Sequence, residues 1–270
     1  MKKGRSGPRQ ADRISRFSAI SLLMANIFLI VVLNAVPFSF SEALPLSRFT
    51  ERVTATGETQ RGIDDNQPED ITINRPGFFG KAQTSGTGAA LPGASGPYAE
   101  SLLDMNSGEG GLSSATISYY FGVVVADQPP PPGVTVVPLI IDAVLSTEIT
   151  VRGQGNISDN LAEISVFNGE TTERDSINII DLADRNVRRE ARFRIPMALG
   201  PEGNIFLRTI ITAGGALRIR TVADPYIYID PAFPEKGYFK IVVGSGVENL
   251  PPEPSVLQPA IYLPLVLKGP

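Results

Sequence analysis

The chain of 270 residues has no cysteine, no histidine and no tryptophan. Without cysteine there is neither a disulfide framework nor a thiolate zinc site, so packing and hydrogen bonds alone must hold the fold. Without histidine the commonest general base and metal ligand are missing, and with them every Ser-His-Asp or Cys-His arrangement. A serine–lysine pair would be the remaining route to a nucleophilic serine. Past the N-terminal leader, however, the lysines are Lys81, Lys236, Lys240 and Lys268, and none belongs to an S-x-x-K motif. The expectation is a protein that is not an enzyme, with no catalytic residue, no cofactor and no metal ligand assigned.

What is present first is a leader. Lys2, Lys3, Arg5, Arg9, Arg13 and Arg16 precede a stretch without any charge up to Glu42, with Ile27-Phe28-Leu29-Ile30-Val31-Val32-Leu33 at its centre. A cationic start, an apolar middle and then Pro37 with Ser41-Glu42-Ala43 follow the order of a secretory signal peptide, cleaved after Ala43. The apolar run is also long enough to span a bilayer as an uncleaved anchor helix. Either way the remainder is secreted or sits at the cell surface, and the membrane is touched only through residues 1–43. The formal charge of -4 becomes -8 once residues 1–43, with six bases and two acids, are removed. A net anion repels nucleic acid, so none is expected as a partner.

With 26 glycines and 23 prolines, the chain suits a turn-rich β protein. Residues 44–111 are broken by Gly, Pro, Ser and Thr and predict a loop-rich, partly disordered segment. One strand is expected there at residues 71–73 and one helical turn near 101–103. From Ala115 onward, Ile117, Tyr119, Phe121, Val123 and Val125 alternate with Thr116, Ser118, Tyr120 and Gly122, the period of a strand with one buried face. The prolines at 129–132 end it. Further strands are predicted at 134–143, 146–151, 162–167, 176–180, 187–195, 204–213, 217–223, 226–229, 238–243 and 261–267. No helical pattern long enough for a crossover separates them, so the pairing should be antiparallel. The predicted class is all-β, an antiparallel β-sandwich of jelly-roll-like form over residues 112–250, followed by a Pro-rich tail at 251–270. Ala213-Gly214-Gly215-Ala216 is expected to close a tight hairpin between 204–213 and 217–223, because glycine accepts positive φ.

Candidate ligand-binding residues come from charge and aromatic patterning. Arg188, Glu190, Arg192 and Arg194 fall on one face of strand 187–195, with Val187, Ala191, Phe193 and Ile195 on the other. Arg218 and Arg220 likewise share a face of their own strand. In one sheet these arginines would form a basic stripe able to fork onto carboxylate or sulfate groups of an acidic glycan, with Tyr226 and Tyr228 stacking on sugar rings. The alternative is a solvated face whose charges oppose edge pairing. Asp224-Pro225 and Asp230-Pro231 are too far apart to work as a glycosidase pair, about 20 Å along a strand against about 5 to 10 Å for catalytic carboxylates. They read instead as turns at either end of 226–229. Asp104-x-Asn106-x-Gly108 opens like a calcium loop but has Glu109 where glycine is needed and Ala115 where glutamate is needed. A turn is the better reading, and calcium is the only ion left in view.

Three segments in this order resemble a group of exported bacterial proteins of the PEP-CTERM class. They are Ser114-Ala115-Thr116-Ile117-Ser118-Tyr119-Tyr120-Phe121, Val137-Pro138-Leu139-Ile140 and Asp224-Pro225-Tyr226-Ile227-Tyr228-Ile229-Asp230-Pro231-Ala232-Phe233. Gly237-Tyr238-Phe239-Lys240 and Gly246-Val247-Glu248-Asn249 extend the likeness to roughly residues 114–249. The resemblance implies an exported, mostly β domain of a class linked to extracellular matrix and surface sorting. Pro252-Glu253-Pro254-Ser255 is similar to that class's sorting signal. The spanning segment and arginine cluster that should follow it are absent, and residues 256–267 are too short to cross a bilayer. The functional expectation is a non-enzymatic structural or matrix-associated protein, with self-association in view. A carbohydrate-binding module for acidic glycans, with extracellular polysaccharide as partner, is the alternative.

Overall fold

Alternation of inward and outward residues extends over nearly the whole of the computed structural model. It describes residues 44–249 apart from 64, 89, 91–95, 107 and 182–185, and the backbone alone at 201 and 202. The strands are β1 (Arg48–Ala55), β2 (Glu58–Arg61), β3 (Asp70–Arg75), β4 (Phe78–Ser85), β5 (Tyr98–Met105), β6 (Gly110–Val125), β7 (Val136–Phe167), β8 (Thr172–Asn178), β9 (Asn186–Ala198), β10 (Gly200–Ile229) and β11 (Phe239–Val243). Among the described residues one 3-10 turn occurs, Lys236–Tyr238, just before β11. The fold is thus almost entirely antiparallel β, as expected. Among the described residues no helix is long and apolar enough to cross a membrane. The signal or anchor segment, the Pro252–Ser255 motif and the strand expected at 261–267 lie outside the described residues.

Two strands organise the sheet. β10 keeps β7 along one edge throughout, while its other edge is taken first by β6 (Gly203 to Gly214) and then by β5 (Leu217 to Ala223). In the same way β7 keeps β10 on one side, and on the other meets β9 over its first half and β8 over its last residues. Two runs of neighbours result: β2-β1-β6-β10-β7-β8, and β3-β4-β5-β10-β7-β9. Both pass through the same two long strands. The runs also pack face to face, since a Cβ on Gly80 of β4 would come within 2.6 Å of Val53 Cγ1 on β1. Gly111 of β6 likewise abuts the Phe78 ring of β4.

The bend that allows this sits at Gly214 and Gly215, where the β10–β7 register shifts on either side. Gly215 has φ +98°, and the carbonyl of Gln154 leaves no room there for a side chain. The hairpin expected at this place is therefore a bend in one strand, and both of its arms pair with β7 rather than with each other. Glycine's access to positive φ serves a bulge as readily as a reversal. The available partner decides which, and here that partner is β7. The same merging joins the strands expected at 134–143, 146–151 and 162–167 into β7.

Residues 44–111, expected to be loop-rich, carry all of β1 to β5. Large inward residues such as Phe49, Val53, Phe78 and Leu103 are interspersed with small or polar ones, Gly80, Ala82 and Thr84 on β4 and Ala99 and Ser101 on β5, so the strands look hydrophilic on paper. Ser101-Leu102-Leu103, expected as a helical turn, is part of β5. All of this segment's buried apolar residues join one core with β6 to β11, centred on Ile117, Tyr119, Phe121, Leu139, Ile141, Leu145, Ile164, Leu207 and Ile219. Within that core runs a satisfied polar seam. Ser101 and Thr209 share a hydrogen bond at 2.9 Å, as do Thr147 and Thr221, and Asn160 Nδ2 donates to Thr147 Oγ1 at 2.8 Å. Each of these groups would be costly to bury without its partner.

Candidate functional site

The outward faces of β9, β7 and β10 form one surface in register. Arg192 stands opposite Asp142, which stands opposite Tyr226; one row along are Arg194, Ile140 and Tyr228; in the other direction are Glu190, Val144 and Asp224, then Arg188, Ser146 and Val222. Neighbouring strands lie about 4.8 Å apart, so side chains in one row reach one another. The surface carries a groove of about 690 Å³ lined by Asp142, Arg188, Arg192, Asp224, Tyr226 and Tyr228 with adjacent backbone.

Tyr226 and Tyr228 are two residues apart on one face, and their rings stack at 5.5 Å between centroids with 20° between planes. Both are half-buried, and burial raises both phenols above their ordinary pKa. Beside them Arg192 grips Asp142 with two bonds, Nε to Oδ1 at 2.6 Å and Nη2 to Oδ2 at 2.8 Å. The Tyr228 hydroxyl donates to the same Oδ2 at 2.9 Å. Burial opposes ionisation of Asp142, but the bonds from Arg192 and Tyr228 and the guanidinium charge outweigh it and hold the carboxyl below its usual range. The carboxylate in turn holds the Arg192 guanidinium more firmly protonated than usual. The aromatic plate and the ion pair are one hydrogen-bonded unit.

One wall of the groove comes from the chain around Ala90. Its backbone N–H donates to Asp224 Oδ2 at 3.1 Å, and its carbonyl accepts from Arg220 Nη2 at 3.1 Å. Ala90 also covers Val222, fully buried on this otherwise outward face, together with Val144. Asp224-Pro225, expected as a turn, lies inside β10 just past Ala223, the last residue of β10 paired with β5, so the proline interrupts no ladder on that edge. Asp230 does form a turn, accepting from the Ala232 N–H at 2.9 Å.

Of the sequence candidates, Arg188, Arg192, Tyr226 and Tyr228 line the groove. Arg194, in the row of Tyr228, is exposed and stays outside the lining. Arg220 turns away to Glu100, Nε to Oε1 at 2.6 Å, and Arg218 sits further along β10 opposite Asp104 and Thr150. A continuous arginine stripe does not form, because β7 inserts Asp142 and Glu148 between the two sets. The oxygens of the calcium-like segment are taken by a guanidinium: Arg152 Nη2 donates to Asp104 Oδ2 at 3.2 Å and Nη1 to Asn106 Oδ1 at 2.8 Å. Asp142 is the residue that sequence reasoning missed. Its signal was a lone carboxylate at an outward position between Ile140 and Val144.

A second cavity, of about 790 Å³, lies at the bend, lined by Thr54, Glu109, Gln154, Asn156 and the glycines 110, 111, 214 and 215. Among the described residues its lining holds no aromatic side chain, and its acid, Glu109, is already paired with Arg75 at 2.7 Å.

No family model and no curated protein matches the chain. One solved structure, that of TmCBM61 in complex with beta-1,4-galactotriose, aligns with 67% of this chain and 88% of its own at 9% identity. Its TM-score is 0.23, a level at which the likeness carries no argument.

Proposed function

We propose that this protein is an exported, non-catalytic β-sandwich of jelly-roll type that binds carbohydrate in the groove on β7, β9 and β10. The observation that carries the reading is the Tyr226–Tyr228 stack fastened to the Arg192–Asp142 pair. Sugar rings offer an apolar face and a rim of hydroxyls, and the groove offers an aromatic plate with oriented donors and acceptors at its edge. Export and a place at the cell surface rest on the leader and on the likeness to PEP-CTERM-class proteins.

The structural, matrix-associated role expected from the sequence remains compatible with sugar binding, since a surface protein can hold a matrix by its glycans. Self-association through sheet edges has less support, because the edge strand β9 carries Arg188, Arg189, Glu190, Arg192 and Arg194, and such charges oppose strand addition. A glycan array probed with the full chain tests the reading. Binding that falls by on the order of tenfold or more in Tyr226→Ala, with the β circular dichroism unchanged, is the expected result. Silence across the array from correctly folded protein sinks it.

A further inference from the structure

The charges around the groove narrow the ligand. The arginines suggested an acidic glycan, yet each guanidinium that lines the groove already has a carboxylate at hand. Arg192 is engaged side-on by Asp142, and Arg188 Nη2 stands 3.6 Å from Glu190 Oε1. Glu190 and Asp224 line the groove together with Asp142, so its walls present carboxyls beside both guanidinium groups. A uronate or sulfate entering here would meet Asp142 across the guanidinium meant to receive it, and like charges at such distances repel strongly where solvent is partly excluded.

We infer that the groove selects uncharged glycans over acidic ones, an inference that rests on the carbohydrate-binding reading above. The side-on grip leaves the far edge of the Arg192 guanidinium, Nη1 and the second hydrogen of Nη2, without a bond among the described residues. That edge presents two parallel donors, suited to two hydroxyl oxygens of one sugar. Asp142 serves as a positioning residue. It fixes the plane of the guanidinium and, by cancelling its charge, converts an anion receptor into a hydroxyl receptor. Tyr228, tied to the same carboxylate, fixes the aromatic plate relative to those donors.

The test is affinity electrophoresis and calorimetry of the full chain against neutral polymers (galactan, xylan, mannan) and charged ones (polygalacturonate, alginate, chondroitin sulfate). The expected result is retention by at least one neutral polymer and affinity lower by on the order of tenfold or more for every charged one. Asp142→Asn should weaken the neutral ligand and raise binding of polygalacturonate several-fold, whereas Arg194→Ala, outside the groove, should alter neither. Preference of the wild-type protein for a charged polymer overturns the inference while leaving a sugar site in place. An Asp142→Asn variant with an unchanged ratio of neutral to charged binding also overturns it. Silence from both classes in folded protein removes the site itself.

Discussion

Asp142 on the outer face and Glu51 inside the first run of strands are the same chemical group placed in opposite circumstances. Asp142 has a guanidinium against both of its oxygens and a phenol besides, and its proton is held less tightly than usual. Glu51, on β1 between Phe49 and Val53, is 1% exposed. Its Oε1 accepts from Thr84 Oγ1 and from the Glu69 N–H, while Oε2 has no hydrogen-bond partner among the described residues. Burial pushes its carboxyl up to about 7; the Thr84 and Glu69 N–H bonds act against that rise, and the nearby Glu69 and Asp65 charges add to it. A cation, not burial alone, decides whether a carboxyl in this fold keeps or loses its proton.

The largest expected effect comes from the Glu51 side of this contrast. Its folded-state value lies above the ordinary 4.5, so protonated Glu51 favours the folded state. That stability is fully present below about 4.5 and is lost as pH rises through about 7. The loss amounts to about 3 kcal/mol at most. Glu51→Gln should therefore be more stable than wild type near pH 8 and similar to it near pH 4, as read by urea unfolding. A constant difference across that range would erase the contrast. Next in size is Gly215→Ala at the bend, expected to cost about 2 kcal/mol because a side chain there is both strained and without room. Chemical denaturation would measure it, and a neutral outcome would mean that β10 is not bent where described.

On the Asp142 side the effects move from stability to binding. Asp142→Asn should leave the unfolding midpoint nearly unmoved, since partly exposed ion pairs contribute little, while changing which glycans are retained. A large loss of stability would recast the pair as structural. Smallest of all is Tyr228→Phe, which removes one hydrogen bond to Asp142 and keeps the stacked ring. Glycan affinity should drop only a few-fold, and complete loss would show that the hydroxyl touches the ligand directly.

Some of this was legible in the sequence. The strand carrying Arg188 to Arg194 alternates as strictly in space as on paper, with Ala191, Phe193 and Ile195 inward. Tyr226 and Tyr228 share a face as period two requires. The partner of Arg192 was not legible, because Asp142 lies 50 residues away and only the β7–β9 register brings them together. Nor was β4, where after Phe78 the inward positions hold glycine, alanine and threonine; their small volume, which lets β1 approach closely, conceals them from any hydrophobic count. Glycine misled in a third way. At 214 and 215 it marked a change of direction correctly but could not say whether the chain doubles back or carries on.

Since β7 and β10 each traverse both runs, neither half of the molecule can be peeled off while the other survives. A break in the pairing beside β6 is felt beside β5 along the same unbroken backbone. Deuterium uptake should accordingly show the slowest amides of the two halves giving way together, as a single door swings on one shared hinge-post.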